Sequence, residues 1–217
     1  MKFKLMDLEG SPYIGLFALA TDEFCILGSG AEHKAGEIEE ALGTNVTKAS
    51  IVGTPFLGLF CVGNSRCILV PRLVYEKEVE VLKEITDNVV RLESRFTALG
   101  NLILANDRGA IVSRLLRNEV EVIESSLGVK SEVYLGNDRL IGAIALATNR
   151  GCVLGKEIER EAVEQIERVL RVKVGFSTAN FGSPYVRASL IANSRGFISG
   201  SLTTGVELEE LRKALGF

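Results

Sequence analysis

The 217-residue chain contains one histidine, His33, and four cysteines, Cys25, Cys61, Cys67 and Cys152, with no CxxC pair. These counts leave a metal centre short of ligands. The cysteines sit in apolar, strand-like runs and read as reduced, buried thiols. The GxxxxGK[ST], GxSxG and HExxH patterns that cradle phosphate, present a serine nucleophile or bind zinc are all missing. His33, beside Glu32, is the sole candidate base for a cysteine nucleophile, and a lone loop histidine reads as solvated. No catalytic residue, metal ligand or cofactor is expected.

Apolar runs such as Leu140 to Ala147 fall far short of the roughly 20 residues of a membrane helix. The opening residues, Lys2 to Asp7, lack the apolar centre of a secretory signal. A cytoplasmic location with no membrane partner is expected. A net charge of −3 argues against wholesale wrapping of nucleic acid, so no DNA partner is expected, although a local basic patch is compatible with it. The chain is 47% apolar and 24% charged, which marks a compact protein with a substantial core.

What the chain does have is a repeat. Five segments align without gaps: Ile14 to Gly28, Leu57 to Pro71, Leu99 to Ser113, Ile141 to Gly155 and Val186 to Gly200. A glycine recurs in second place as Gly15, Gly58, Gly100 and Gly142, and is replaced by Arg187 in the fifth copy. The lead-in Gly10-Ser11-Pro12-Tyr13 returns as Gly182-Ser183-Pro184-Tyr185, and Thr54-Pro55-Phe56 holds the same place in the second copy.

Each segment reads as two strands joined by a tight polar turn, covered on both faces. Helical spacing follows, as in Ile38, Ala41, Leu42 or Val120, Ile123, Leu127, and predicts a short amphipathic helix. A further β-rich piece then leads to the next copy: Val46 to Ile51, Val89 to Leu92, Val129 to Tyr134 and Val172 to Phe176. The fifth copy stops at Phe217 after its helix, while an unassigned strand-like segment, Lys2 to Met6, stands at the start. Completion of the last unit by the first strand closes a ring and leaves no sheet edge unpaired. A linear stack would need distinct polar caps at both ends.

A residue repeated in a closed ring forms a circle around its axis. The polar turns carry Arg66, Arg108, Arg150 and Arg195, with Glu23 in the odd copy. Their bland reading is a solvated rim; the functional one is a grip on phosphates or an acidic surface. At the opposite end of the same strand, after the repeated glycine, stand Leu16, Leu59, Asn101, Ala143 and Ala188. There glycine allows close backbone approach first and a flat docking face second.

The whole chain resembles the archaeal translation initiation factor 6 family, counterpart of the eukaryotic anti-association factor. The likeness is carried by Leu57 to Pro71, Ser94 to Asp107, Ala192 to Gly196 and the TTGxEL core within Leu202 to Leu208, in order on the five-fold repeat. The resemblance implies one pentein-type α/β domain over residues 1–217. Its five ββαβ-like repeats start near 14, 57, 99, 141 and 186, lie around a pseudo-five-fold axis, and are closed by the N-terminal strand.

The resemblance further implies a monomeric, non-enzymatic factor that binds the large ribosomal subunit and blocks small-subunit joining by steric occlusion, with a possible role in large-subunit biogenesis. The implied contact is a ribosomal-protein surface near the sarcin-ricin loop of the large rRNA. The implied ribosome-binding residues are Gly15, Gly58, Leu59, Arg91, Arg95, Gly100, Asn101 and Ala143. Leu59 departs from the basic residue of eukaryotic members, and regulation through their long polar tail is not expected here. Two rivals remain: a pentein-type guanidine-modifying enzyme, whose late cysteine and histidine have no match, and an RNA-binding ring using the arginine turns.

Overall fold

The computed structural model describes residues 3–217; Lys2 of the expected opening strand lies outside the described residues. Five three-stranded sheets repeat one design. Strand β1 (Phe3–Met6) opens the chain. The next two sheets are β2 (Ala18–Ala20), β3 (Cys25–Gly28) and β4 (Val46–Ala49), then β5 (Val62–Asn64), β6 (Cys67–Pro71) and β7 (Val89–Leu92). They are followed by β8 (Ile103–Ala105), β9 (Gly109–Val112) and β10 (Lys130–Val133), and by β11 (Ala145–Ala147), β12 (Gly151–Leu154) and β13 (Lys173–Phe176). The fifth hairpin is β14 (Leu190–Ala192) and β15 (Phe197–Gly200).

In each sheet the first two strands are antiparallel and the third runs parallel to the second, as in β2-β3-β4. A parallel partner needs a crossover, and a helix of 8 to 11 residues supplies it: Ala35–Leu42, Glu76–Lys83, Val120–Leu127, Arg160–Leu170 or Gly205–Ala214. The fifth crossover returns to the other end of the chain. Phe3 to Met6 pair in parallel register with Phe197 to Gly200, which closes the ring as the sequence predicts.

The first expected strand of each hairpin is corrected. Only its last three residues are extended; the part around the repeated glycine is one helical turn, at Ile14–Leu16, Leu57–Phe60, Leu99–Leu102, Ile141–Ile144 and Val186–Ser189. Among the described residues adjacent sheets share no hydrogen-bonded ladder, so a longer strand would leave its inner backbone groups unpaired. The turn satisfies them locally, as in Phe17 N–H to Ile14 O at 3.0 Å and Cys61 N–H to Leu57 O at 2.8 Å. Glycine is required because successive turns abut: a Cβ on Gly58 would lie 1.9 Å from the Gly15 carbonyl oxygen, and one on Gly100 2.0 Å from that of Gly58.

The buried side chains form five cores, each between neighbouring sheets. In β3, Cys25 and Leu27 join Ile191, Ile198 and Met6 of the fifth unit, while Ile26 between them joins Leu57, Ile68 and Leu82 of the second. This is the two-residue alternation of a strand dividing its side chains between two faces. No unit encloses a core by itself, so each is stabilised only by docking on both neighbours.

Candidate docking face

The two ends of the disc differ in what their polar groups are doing. At the hairpin-turn end, the first turn residue clasps the next unit. Asn106 donates from Nδ2 to Thr148 O at 3.0 Å and to Leu170 O at 2.9 Å, the latter at the end of a crossover helix. Asn193 does the same with Thr21 O at 3.1 Å and Leu42 O at 3.0 Å, and Asn64 reaches Leu127 O at 2.9 Å. Carbonyls at a helix C-terminus lack intrahelical donors, and the amides supply them.

The four turn arginines are clasps too, which corrects their reading as a merely solvated rim. Arg66 donates to Asp107 O at 3.1 Å and Arg108 to Arg171 O at 2.9 Å. Arg150 reaches Ser194 O and Gly216 O, and Arg195 reaches Leu42 O and Asp22 O. Each bridges to the following unit. Nearer the axis, Asp107 accepts from Ser65 N–H at 2.7 Å and from Asn149 Nδ2 at 2.5 Å, and the same amide nitrogen donates to Asp22 at 2.8 Å. This end is occupied with holding the ring together.

The glycine end carries exposed apolar surface. Large apolar side chains stand exposed in its loops: Tyr13, Leu73, Tyr75, Leu140, Tyr185, Leu202 and, 82% exposed, Phe181. Among the described residues, the hairpin turns contribute none. Contiguous exposed apolar side chains mark contact surfaces. Glutamates of the crossover helices hold the loops in shape. Glu207 accepts from Gly182 N–H at 2.8 Å and Phe181 N–H at 3.2 Å, and forms a reciprocal cap with Thr204. Glu78 does the same for Val52 and Gly53 at 2.8 and 2.9 Å. Burial alone would raise the Glu207 pKa, but hydrogen bonds from Thr204, Thr178 and Gly182 hold it below the usual range.

Between the second and third units lies a groove of about 700 Å³ lined by Arg72, Arg95, Arg114 and Arg117, with Phe96, Glu93 and Glu119. Arg95 stacks its guanidinium 4.7 Å from the Phe96 ring centre. Arg114 is fixed by Tyr134 O and Leu135 O. Arg72, Arg95 and Arg117 are exposed and form no hydrogen bond or ion pair from their side chains among the described residues. They are available to an outside acceptor.

Of the sequence-predicted site residues, Gly15, Gly58, Gly100 and Ala143 are buried in the ring of helical turns and present backbone shape rather than side chains. Leu59 and Asn101 are half-buried on the outer side of the same turns, and the Asn101 carboxamide makes no hydrogen bond within the described residues. Arg95 opens into the groove. Arg91 pairs with Glu76 at 2.7 Å instead. Arg72, Arg114 and Arg117 were not among the predicted residues. Their signal lay in the repeat: Arg72, Arg114 and Lys156 stand at one register after the second strand, where the first and fifth copies have Ser29 and Ser201.

The four thiols are fully buried and free. Burial pushes Cys25 and Cys152 up to about 12 and Cys67 to about 11, and raises Cys61 as well. Such thiols are held in their un-ionised, inert form. His33 is exposed in the turn Glu32–Lys34 and bonds to none of them. Among the described residues no helix is long and apolar enough to cross a membrane.

The fold defines the class: a pentein-type, five-fold pseudosymmetric α/β ring. The sequence pattern of the eIF-6 family matches residues 3–214, and the chain belongs to that family. It is 38% identical over 225 residues to the translation initiation factor 6 of Pyrococcus abyssi, covering all of this chain and 99% of that one. It is 35% identical to the factor of Methanocaldococcus jannaschii over 96% of this chain and 95% of the other, and 31% identical to that of Saccharolobus islandicus over the full length of both. These relatives are archaeal translation initiation factors.

Proposed function

We propose that this chain binds the large ribosomal subunit through its glycine-end face and prevents the small subunit from joining by occupying space at the subunit interface. Family membership supports the partner. The observation that carries the choice of face is the division of labour across the disc: side-chain amides and guanidinium groups of the hairpin turns are bonded into the ring, while exposed tyrosines, leucines and Phe181 on the other face meet no partner.

The arginine groove suits RNA phosphate, and the apolar loops suit a protein surface. A ribosomal protein beside the sarcin-ricin loop offers both. The five-fold scaffold presents an asymmetric pattern, with the groove of Arg72, Arg95 and Arg117 lying between the second and third units. Occlusion requires no reacting group, so the chain acts as a non-enzymatic, monomeric cytoplasmic factor folding as a single domain over residues 1–217. The same bound state places it in large-subunit maturation as well. Co-sedimentation of the protein with purified large subunits, paired with a subunit-joining assay, tests the reading. Binding with loss of joining supports it; protein left in the supernatant with joining unimpaired overturns it.

A further inference from the structure

The axis of the ring contains a feature unrelated to the docking face. At one register the five first strands present Ala20, Gly63, Ala105, Ala147 and Ala192, and this circle of small residues separates two chambers on the axis. The chamber on the turn side is lined by the polar residues already described. The chamber on the other side is lined by first-strand residues of all five units together with one charged side chain, Arg187.

Arg187 stands where the other four copies have glycine, so the packing of the helical turns does not call for it. The residue is half-buried, and its side chain forms no hydrogen bond or ion pair among the described residues. Its Nη2 has neither accessible surface nor a partner. A guanidinium offers five N–H donors in a planar fork. Burying that charge without compensation is costly.

No carboxylate among the described residues compensates it. Among the described residues the only ionisable group that acts on it is Cys61, which burial keeps as a neutral thiol. Burial lowers the Arg187 pKa to about 10, which leaves it cationic at neutral pH. Nε and Nη1 keep surface that a guest can reach; water can occupy them, but only an anion balances the charge. The free volume of about 20 Å³ suits a single small guest rather than phosphate or sulfate.

We propose that the axial chamber is a binding site for a single monatomic anion of halide size, held by the Arg187 guanidinium inside the circle of first strands. The bound anion acts as a structural pin, neutralising the one charge that breaks the five-fold repeat at the axis.

Crystals of the whole protein grown with bromide in place of chloride test this directly by anomalous scattering. The expected result is one bromide on the axis within hydrogen-bonding distance of Arg187. In solution, thermal unfolding is followed in sodium bromide or chloride against sodium gluconate at equal ionic strength. The wild-type midpoint should rise with the logarithm of halide concentration, as linkage requires, and Arg187→Met should lose that dependence. An axis without bromide overturns the proposal, as does a midpoint blind to the identity of the anion. Bromide density without a midpoint response means an adventitious ion only and also overturns it. A response retained in Arg187→Met moves the site elsewhere. Should that variant not fold, the two wild-type measurements decide.

Discussion

Replacing Asn193 by alanine removes four hydrogen bonds at the seam where the ring closes. Its Nδ2 holds Thr21 O and Leu42 O of the first unit. Its Oδ1 accepts from Arg195 N–H at 2.9 Å and Gly196 N–H at 3.1 Å within its own turn. The side chain is 2% exposed, so water cannot readily replace the lost partners. A net contribution of about 1 kcal/mol per bond, and the penalty for stranded buried groups, puts the cost at about 2–4 kcal/mol. Asn106→Ala, which removes two bonds from the third unit to the fourth and two within its own turn, should cost as much. Thr21→Ala removes three bonds confined to one turn and, counted the same way, should cost less, about 1–3 kcal/mol. Urea unfolding of the three variants provides the comparison. Should Asn193→Ala cost clearly less than Asn106→Ala and no more than Thr21→Ala, the fifth and first units would not be joined as the other units are, and the argument for a closed ring would be wrong.

Three further outcomes follow from the same structure. Gly58→Ala places a methyl group against the Gly15 carbonyl and should destabilise by about 1–3 kcal/mol, whereas Gly36→Ala, in an open position on a crossover helix, should stabilise by about 0.4–1 kcal/mol; chemical denaturation reads both. Arg168 hydrogen bonds hold the Glu132 pKa at about 2 against the opposing effect of burial, so its contribution is present above the ordinary glutamate pKa of about 4.3 and is lost as pH falls toward 2; Glu132→Gln should flatten that part of the stability–pH curve. Arg95→Glu, Arg117→Glu and Asn101→Asp should each weaken large-subunit binding by about tenfold, or about 1.4 kcal/mol, with unfolding midpoints nearly unchanged because the side chains form no hydrogen bond or ion pair among the described residues.

The order of strands and helices was legible because every unit writes both periods plainly. Ile38, Ala41 and Leu42 mark one helix face, and Cys25, Ile26 and Leu27 divide between two cores. Ring closure was legible from a missing last strand and a spare first one. The helical turns were not, since four apolar residues around a glycine fit a strand or a helix equally well, and the outcome depends on the neighbouring unit's backbone. The arginine clasps were hidden for a related reason: Arg108 bonds to a carbonyl 63 residues away. Gly15, Gly58 and Gly100 were visible as a circle, but only coordinates reveal that the circle is buried. The groove was partly written in the departure of Arg72 and Arg114 from the serines of the outer copies, a difference between repeats rather than a motif within one.

Sedimentation of large ribosomal subunits with the wild-type chain and with the Arg95→Glu/Arg117→Glu double variant, each followed by addition of small subunits, tests the docking face most directly. Wild type should pellet with the large subunit and suppress joining, while the folded double variant should stay in the supernatant and let joining proceed. A double variant that pellets and blocks joining as well as wild type does would contradict the assignment of the glycine-end face.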